Sequence, residues 1–197
     1  MLKFSKTAGV DEVGRGCLAG PVFAAAVILN KNINTKYIKD SKKIPFKKRI
    51  VLSKYIKENS TYAVGKASVK EINKINILNA SLLSMKRALN NLKKKPSIAY
   101  IDGIFAPKKI KIKCKTYIKG DEKIMCIAAA SIIAKVARDQ FMIKLGKKFP
   151  EYKWNKNFGY GTAEHLNGLK KYGITKHHRK KFKPVHNILS RQTRETQ

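Results

Sequence analysis

The chain has 197 residues, is 43% hydrophobic, and sets 44 Lys and Arg against 12 Asp and Glu for a formal net charge of +32. One substantial core can be built from it, and so basic a surface favours a polyanion such as nucleic acid over a cationic partner. Three cysteines without a CxxC pair argue against a disulfide framework or zinc site; with no membrane-length apolar run and no secretory leader in MLKFSKTAGVDE, a soluble, cytoplasmic monomer is expected.

In chain order, FSKTAGV (4–10) and VFAAAVIL (22–29) read as strands joined by the Gly-rich turn DEVGRGCLAGP. PFKKRIVLSKYIKEN predicts a helix with Pro45 in its first turn and Phe46, Ile50, Val51, Lys54 and Tyr55 at helical spacing. TYAVGKASV (61–69) alternates like a strand, and NILNASLLSMKRALNNL (76–92) carries Leu78, Leu82, Met85 and Leu89 on one helical stripe. IAYID (98–102) is a short apolar strand ending in an acid, whereas KIKCKTYI (111–118) alternates as an outer strand with one wet face. From Gly120 the chain predicts its longest helix, whose Ala128, Ala129, Ala130, Ser131 and Ala134 allow close approach to a sheet. Residues 150–161 read as a loop, TAEHLNGLKKYG as a helix, and HHRKKFKPVHNIL as a final, weaker one.

Only seven of the basic residues are Arg, so charge names a class of partner and no chemistry; the sparse acids are more informative. Asp11 and Glu12 follow a strand end, and neighbouring strand residues point to opposite faces. Both reach one site only if the strand stops or twists there, as Gly14 and Gly16 permit. Taken alone, the pair fits a solvated turn as well as a metal site. Asp102 and Asp121 also stand just past strand ends, where ligands of α/β sheets collect. Four converging carboxylates repel one another unless cations bind between them, and oxygen-only ligands suit Mg²⁺ or Mn²⁺. Two such ions would clamp an in-line displacement at phosphorus. By spacing alone, Asp121 reads rather as a helix cap.

The ordered set DEVGRGCLAGPV (11–22), DSKKI (40–44), IDG (101–103), KGD (119–121), SIIAKVARD (131–139), GYGT (159–162) and HHRKKFKPV (177–185) resembles the successive motifs of the bacterial ribonuclease HII family. The resemblance implies a ribonuclease H-like α/β fold, a central mixed five-stranded sheet flanked by helices with a small helical C-terminal segment. It implies a single catalytic domain over 1–197, with the core in 1–148 and substrate-contacting loops and helices in 149–197. Asp11, Glu12, Asp102 and Asp121 match the four metal-site carboxylates, which sets aside the cap reading of Asp121. Gly14, Arg15 and Gly16 match the loop that approaches the ribonucleotide 2′-hydroxyl, the atom that distinguishes RNA from DNA. Tyr160 matches the aromatic residue at the RNA-to-DNA junction, although Gly-Tyr-Gly also suits an ordinary loop.

Lys42, Lys43 and Lys119 are candidates for phosphate contacts, and the cluster of His177, His178, Arg179, Lys180 and Lys181 for the duplex backbone; a solvated basic face is the plainer reading of any single Lys. Adjacent His177 and His178 lack nearby acids and do not read as a metal site, and Asp139 reads as an ion-pair partner. The chain departs from the family at Lys181, where Ser is usual, and at Cys126, where Ser is common. The expected activity is metal-dependent hydrolysis, with two Mg²⁺ or Mn²⁺ ions, of RNA in RNA/DNA hybrids and 5′ of single ribonucleotides in duplex DNA, leaving a 3′-hydroxyl and a 5′-phosphate. The rivals are a ribonuclease HIII-like enzyme without junction preference, disfavoured by GRG, and a non-catalytic hybrid-binding protein, disfavoured by the four acids. The tail SRQTRETQ carries no clear clamp-binding motif.

Overall fold

The small-residue runs near the start of the chain form an antiparallel pair, β1 (Thr7–Val13) with β2 (Val22–Leu29), in register from Gly9 opposite Val27 to Val13 opposite Phe23. This is seen in a computed structural model, which describes residues 6–36, 38 and 45–195. With β3 (Ser60–Ala67), β4 (Ile98–Asp102) and β5 (Lys113–Tyr117), the strands build one sheet in the order β3-β2-β1-β4-β5. β1 pairs β4 and β4 pairs β5 in parallel, so the sheet is mixed, and β5 is the outer strand its alternation predicts.

The helices are α1 (Phe46–Glu58), α2 (Val69–Asn90), α3 (Gly120–Lys123), α4 (Met125–Lys148), α5 (Trp154–Asn157), α6 (Ala163–Tyr172) and α7 (Lys183–Glu195). Among the described residues no helix is long and apolar enough to cross a membrane. The chain divides into two compact units. Unit one comprises Met1–Val13, Phe23–Lys66 and Ser81–Ala137; unit two comprises Gly14–Val22, Ala67–Ala80 and Arg138–Gln197.

Unit one holds the sheet and a core on each of its faces. Strand alternation sorts β2 between them: Ala25, Val27 and Leu29 pack with Leu52, Ile56, Ala128, Ile132 and Ile133, while Ala24, Ala26 and Ile28 pack with Met85, Leu89, Ala99 and Ile101. β1 is sorted the same way, Ala8 and Val10 facing the second core and Gly9 and Asp11 the side of α4. At Gly9 a Cβ would collide with the backbone of Cys126 and Ile127, so glycine is what lets α4 lie against the strand. The alanines of α4 complete this close approach.

Four expectations are corrected in detail. The strand expected over 4–10 continues to Val13, because β2 goes on pairing with β1 after β4 has left it. The buried face of α1 is Leu52, Ser53 and Ile56, and Val51 is 70% exposed; a helix with apolar residues on two faces buries the one the sheet can cover. Pro45 stands at the cap position, just ahead of the helix. The long helix from Gly120 is broken at Ile124, whose extended backbone separates the single turn of α3 from α4.

Unit two is organised around Leu18, Ala19, Met142, Leu145, Tyr152, Trp154, Leu169 and Val185. Trp154 is fully buried and stacks on Tyr152 at 4.9 Å between ring centroids. The span 150–161, expected as loop, therefore contains a 3₁₀ turn (Pro150–Tyr152) and α5, held by these rings. α6 is capped by Thr162, whose hydroxyl accepts from the His165 amide.

Candidate functional site

The β1–β4 ladder ends at Val10 paired with Ile101. Asp11 and Asp102 are the next residue on each strand, and alternation turns both toward the α4 side of the sheet. Asp11 is buried, with Glu12 and Asp102 within electrostatic reach and the Ser131 hydroxyl of α4 as a hydrogen-bond partner. Burial, then the charges of Glu12 and Asp102, push the Asp11 carboxyl well above the usual carboxylate range. Its Oδ1 also accepts the Glu12 amide at 2.7 Å. Glu12 stays inside the strand, one residue from its end at Val13, and is coupled to Asp11 through space.

Asp102 ties the same corner to α3, accepting the Gly120 amide at 2.7 Å. This fixes the start of α3, where Asp121 is buried as the second residue. The helix-cap position belongs to Lys119, in left-handed conformation (φ 53°) and without a side-chain cap bond, so Asp121 is not the cap that spacing alone favoured. Among the described residues no three His, Cys, Asp or Glu close into a group that could hold a metal ion. The donor set nevertheless fits a hard divalent cation: the coupled groups are carboxylates, and positive charge would relieve the repulsion that Glu12 and Asp102 add to burial at Asp11. Mg²⁺ in particular is commonly held by one or two carboxylates, waters and substrate phosphates, without an all-protein cage.

Of the expected recognition residues, Gly14, Arg15, Gly16, Tyr160 and Arg179 belong to unit two. The turn carrying Gly14, Arg15 and Gly16 continues into Leu18 and Ala19, whose amides both donate to the Gly159 carbonyl, at 2.8 and 3.3 Å. A Cβ on Gly159 would lie 2.6 Å from the Ala19 carbonyl oxygen, which accounts for this glycine. Tyr160 follows, 39% exposed, with its hydroxyl on the buried Cys17 thiol; burial and then Cys17 raise the phenol above its ordinary range. Gly14 has φ 94° and a Cβ there would strike the Arg138 guanidinium, whereas at exposed Gly16 a Cβ would meet nothing within 4 Å. The fold therefore explains Gly14 and leaves Gly16 to another cause.

Arg179 is placed differently from the expectation. It is fully buried, its Nε, Nη1 and Nη2 donating to the carbonyls of Gly20, Arg15 and Gly14 at 2.9, 2.8 and 2.6 Å. It lies beneath the Gly-rich turn, with its guanidinium spent on main-chain carbonyls. Arg15 and Lys119 are exposed, and Lys42 and Lys43 lie outside the described residues.

Two further groups escaped sequence reasoning. Arg138, also fully buried, donates to the carbonyls of Pro21, Phe158 and Ala19 at 3.0, 2.9 and 3.1 Å. The signal was present: where Lys is the default cation, an Arg marks a use for its rigid fork. The second is a chain of rings. Trp154 Nε1 donates to His165 Nε2 at 2.9 Å, His165 Nδ1 bonds the Tyr160 carbonyl at 2.8 Å, and His165 and His178 meet through Nε2 atoms at 3.1 Å. With the Thr175 amide donating to His178 Nδ1, a proton on His165 Nδ1 and one on His178 Nε2 give every contact a donor and an acceptor, Trp154 and His178 sharing the one lone pair of His165 Nε2. Both rings are then neutral, and burial followed by the neighbouring histidines lowers His178 to about 3.

The family model described as Ribonuclease HII matches residues 8–185. The chain is 59% identical to a ribonuclease HII of Pelagibacter ubique over 182 residues, covering 92% of this chain and 98% of that protein. It is 50% identical to one from Cereibacter sphaeroides over 186 residues, 94% of this chain and 88% of the other. Among solved structures, the ribonuclease H2 of Pyrococcus horikoshii OT3 is similar at 31% identity and TM-score 0.79, covering 94% of this chain and 98% of that one. Bst-RNase HIII in complex with Mn²⁺ shares the fold at 16% identity and TM-score 0.72, with 98% of this chain and 72% of that one covered.

Proposed function

We propose, from the premise that the chain belongs to the ribonuclease HII family and is a ribonuclease H endonuclease, that it hydrolyses the RNA strand of RNA/DNA hybrids and incises 5′ of single ribonucleotides in duplex DNA. Cleavage leaves a 3′-hydroxyl and a 5′-phosphate, one step in removing ribonucleotides from DNA. The observation that carries the reading is the electrostatic coupling of Asp11 to Glu12 and Asp102 in a corner where burial makes charge costly.

Asp11, Glu12, Asp102 and Asp121 would hold two divalent ions, Mg²⁺ or Mn²⁺. Bound there, the ions supply an activated water and neutralise the charge growing on the leaving 3′-oxygen. The protein's own part is orientation: Ser131 and the Glu12 amide hold the Asp11 carboxylate, and the Gly120 amide holds that of Asp102. Gly14, Arg15 and Gly16 read the ribose, with Gly16 leaving room for a 2′-hydroxyl to approach the backbone. Tyr160 presents its half-open ring to the sugar at the junction. Arg15 and Lys119, with Lys42 and Lys43, contact phosphates.

The test is a DNA duplex containing one ribonucleotide, beside a long hybrid, incubated with Mg²⁺, Mn²⁺ or chelator, using wild type and Asp11→Asn. Metal-dependent cutting of both substrates, lost in the variant, is expected. Binding without cutting under every metal condition would refute an enzyme. Cutting of long hybrids alone would remove the junction activity.

A further inference from the structure

The carbonyls of Gly14 and Arg15 both point at one buried cation, Arg179. Neither peptide is cis, and in a trans peptide the N–H points opposite to the C=O. Turning the Gly14 and Arg15 carbonyls inward therefore turns the amides of Arg15 and Gly16 away from the guanidinium. At Gly16 that is also the side chain-free, exposed stretch of the turn. The Arg179 backbone amide adds a fourth tie, to the Leu18 carbonyl at 2.8 Å.

We infer that Arg179 is a positioning residue for ribonucleotide recognition: its guanidinium sets the two peptides of the Gly14–Gly16 turn so that their amides face the substrate oxygens. This rests on the function proposed above and deepens it by assigning the orientation of the reading loop to one side chain. The guanidinium suits the task because its three nitrogens lie in one plane at fixed angles and keep their charge when buried. A lysine would offer one flexible ammonium for three carbonyls. The burial costs Arg179 part of its hold on the proton, which falls to about 10, yet it remains cationic at neutral pH and polarises both peptides outward.

Arg179→Ala and Arg179→Lys test the inference on the single-ribonucleotide duplex, with melting temperature followed alongside. Misplacement of a reading group by about 1 Å costs on the order of 100-fold in rate, and a loss of that order in kcat/KM is expected from either variant while the fold is retained. Millimolar guanidinium ion should restore part of the cutting by Arg179→Ala, and urea, which has the shape without the charge, should not. A folded variant that cuts like wild type overturns the inference, as does a loss that guanidinium and urea recover equally. Should Arg179→Ala not fold, Arg179→Lys decides alone: reduced cutting with melting retained supports the role, and wild-type cutting ends it. Wild-type protein that cuts neither substrate sinks the proposed function itself, a result distinct from any difference among variants.

Discussion

Asp11 and Asp102 stand side by side on neighbouring parallel strands, each one residue beyond the last rung between Val10 and Ile101. Burial, then the charges of Glu12 and Asp102, raise the Asp11 carboxyl well above its ordinary range. A carboxyl raised on folding favours the folded state at low pH, and that contribution is lost as pH rises through its folded value. In chelator at neutral pH, Asp11→Asn should therefore melt several degrees above wild type, and the gap should close as the pH falls toward 4. The same change should reduce cutting by at least about 100-fold. Melting curves with and without Mn²⁺ check the first effect, and a wild type more stable than the variant in chelator would contradict it.

The two glycines of the reading turn should separate folding from recognition. Gly14→Ala meets the Arg138 guanidinium in a left-handed backbone and should lose about 1–3 kcal/mol of stability. Gly16→Ala meets nothing and should stay within about 0.5 kcal/mol of wild type. Its cutting of single-ribonucleotide duplexes should nonetheless fall at least about tenfold, because the new methyl occupies the approach of the ribose. Urea melts and kcat/KM on one substrate are enough; full activity of a folded Gly16→Ala would deny the turn its role.

Tyr160 can be divided in the same manner. Removing the ring in Tyr160→Ala should damage single-ribonucleotide substrates more than long hybrids, by about tenfold or more. Tyr160→Phe, which keeps the ring and loses the contact with Cys17, should retain most activity. Equal losses on both substrates would make the residue structural.

Acid should attack unit two through its buried imidazoles. His178 stays neutral in the fold down to about pH 3, whereas an unfolded histidine protonates near 6.5. Below about 6.5 the unfolded chain takes up the proton first, so this stability is whole above that pH and drains away as pH falls toward 3, at up to about 1.4 kcal/mol per unit. His178→Gln should flatten that slope while costing about 1–3 kcal/mol at neutral pH from the broken ring contacts. Urea midpoints between pH 7 and 4 would show it, and parallel slopes would rule it out.

Strand alternation and glycine-bounded runs make most of the sheet readable in the sequence alone. β2, β4 and β5 fall where their patterns place them, because each strand's neighbours satisfy the same alternation. What sequence could not supply was partnership. The extension of β1 to Val13 depends on β2 opposite it, and the choice of face on α1 depends on what the sheet covers. The acids at 11, 12, 102 and 121 could be listed from strand ends, but the shared face of Asp11 and Asp102 follows from the register between β1 and β4. Arg179 was read as surface because basic runs usually are; its three carbonyl partners lie about 160 residues earlier in the chain, at a distance no local pattern encodes.

The contact of α4 with β1 at Gly9 is made by backbone against backbone. Two residues on stands Asp11, and its partner Ser131 belongs to that same helix. Side chains can change rotamer or be exchanged for others of similar size, but main chain pressed on main chain leaves nothing to adjust. The wall behind the acidic corner is consequently closed to redesign: anyone reshaping this enzyme for new substrates has the exposed turns to work with, while Gly9 and the alanines of α4 must be inherited intact.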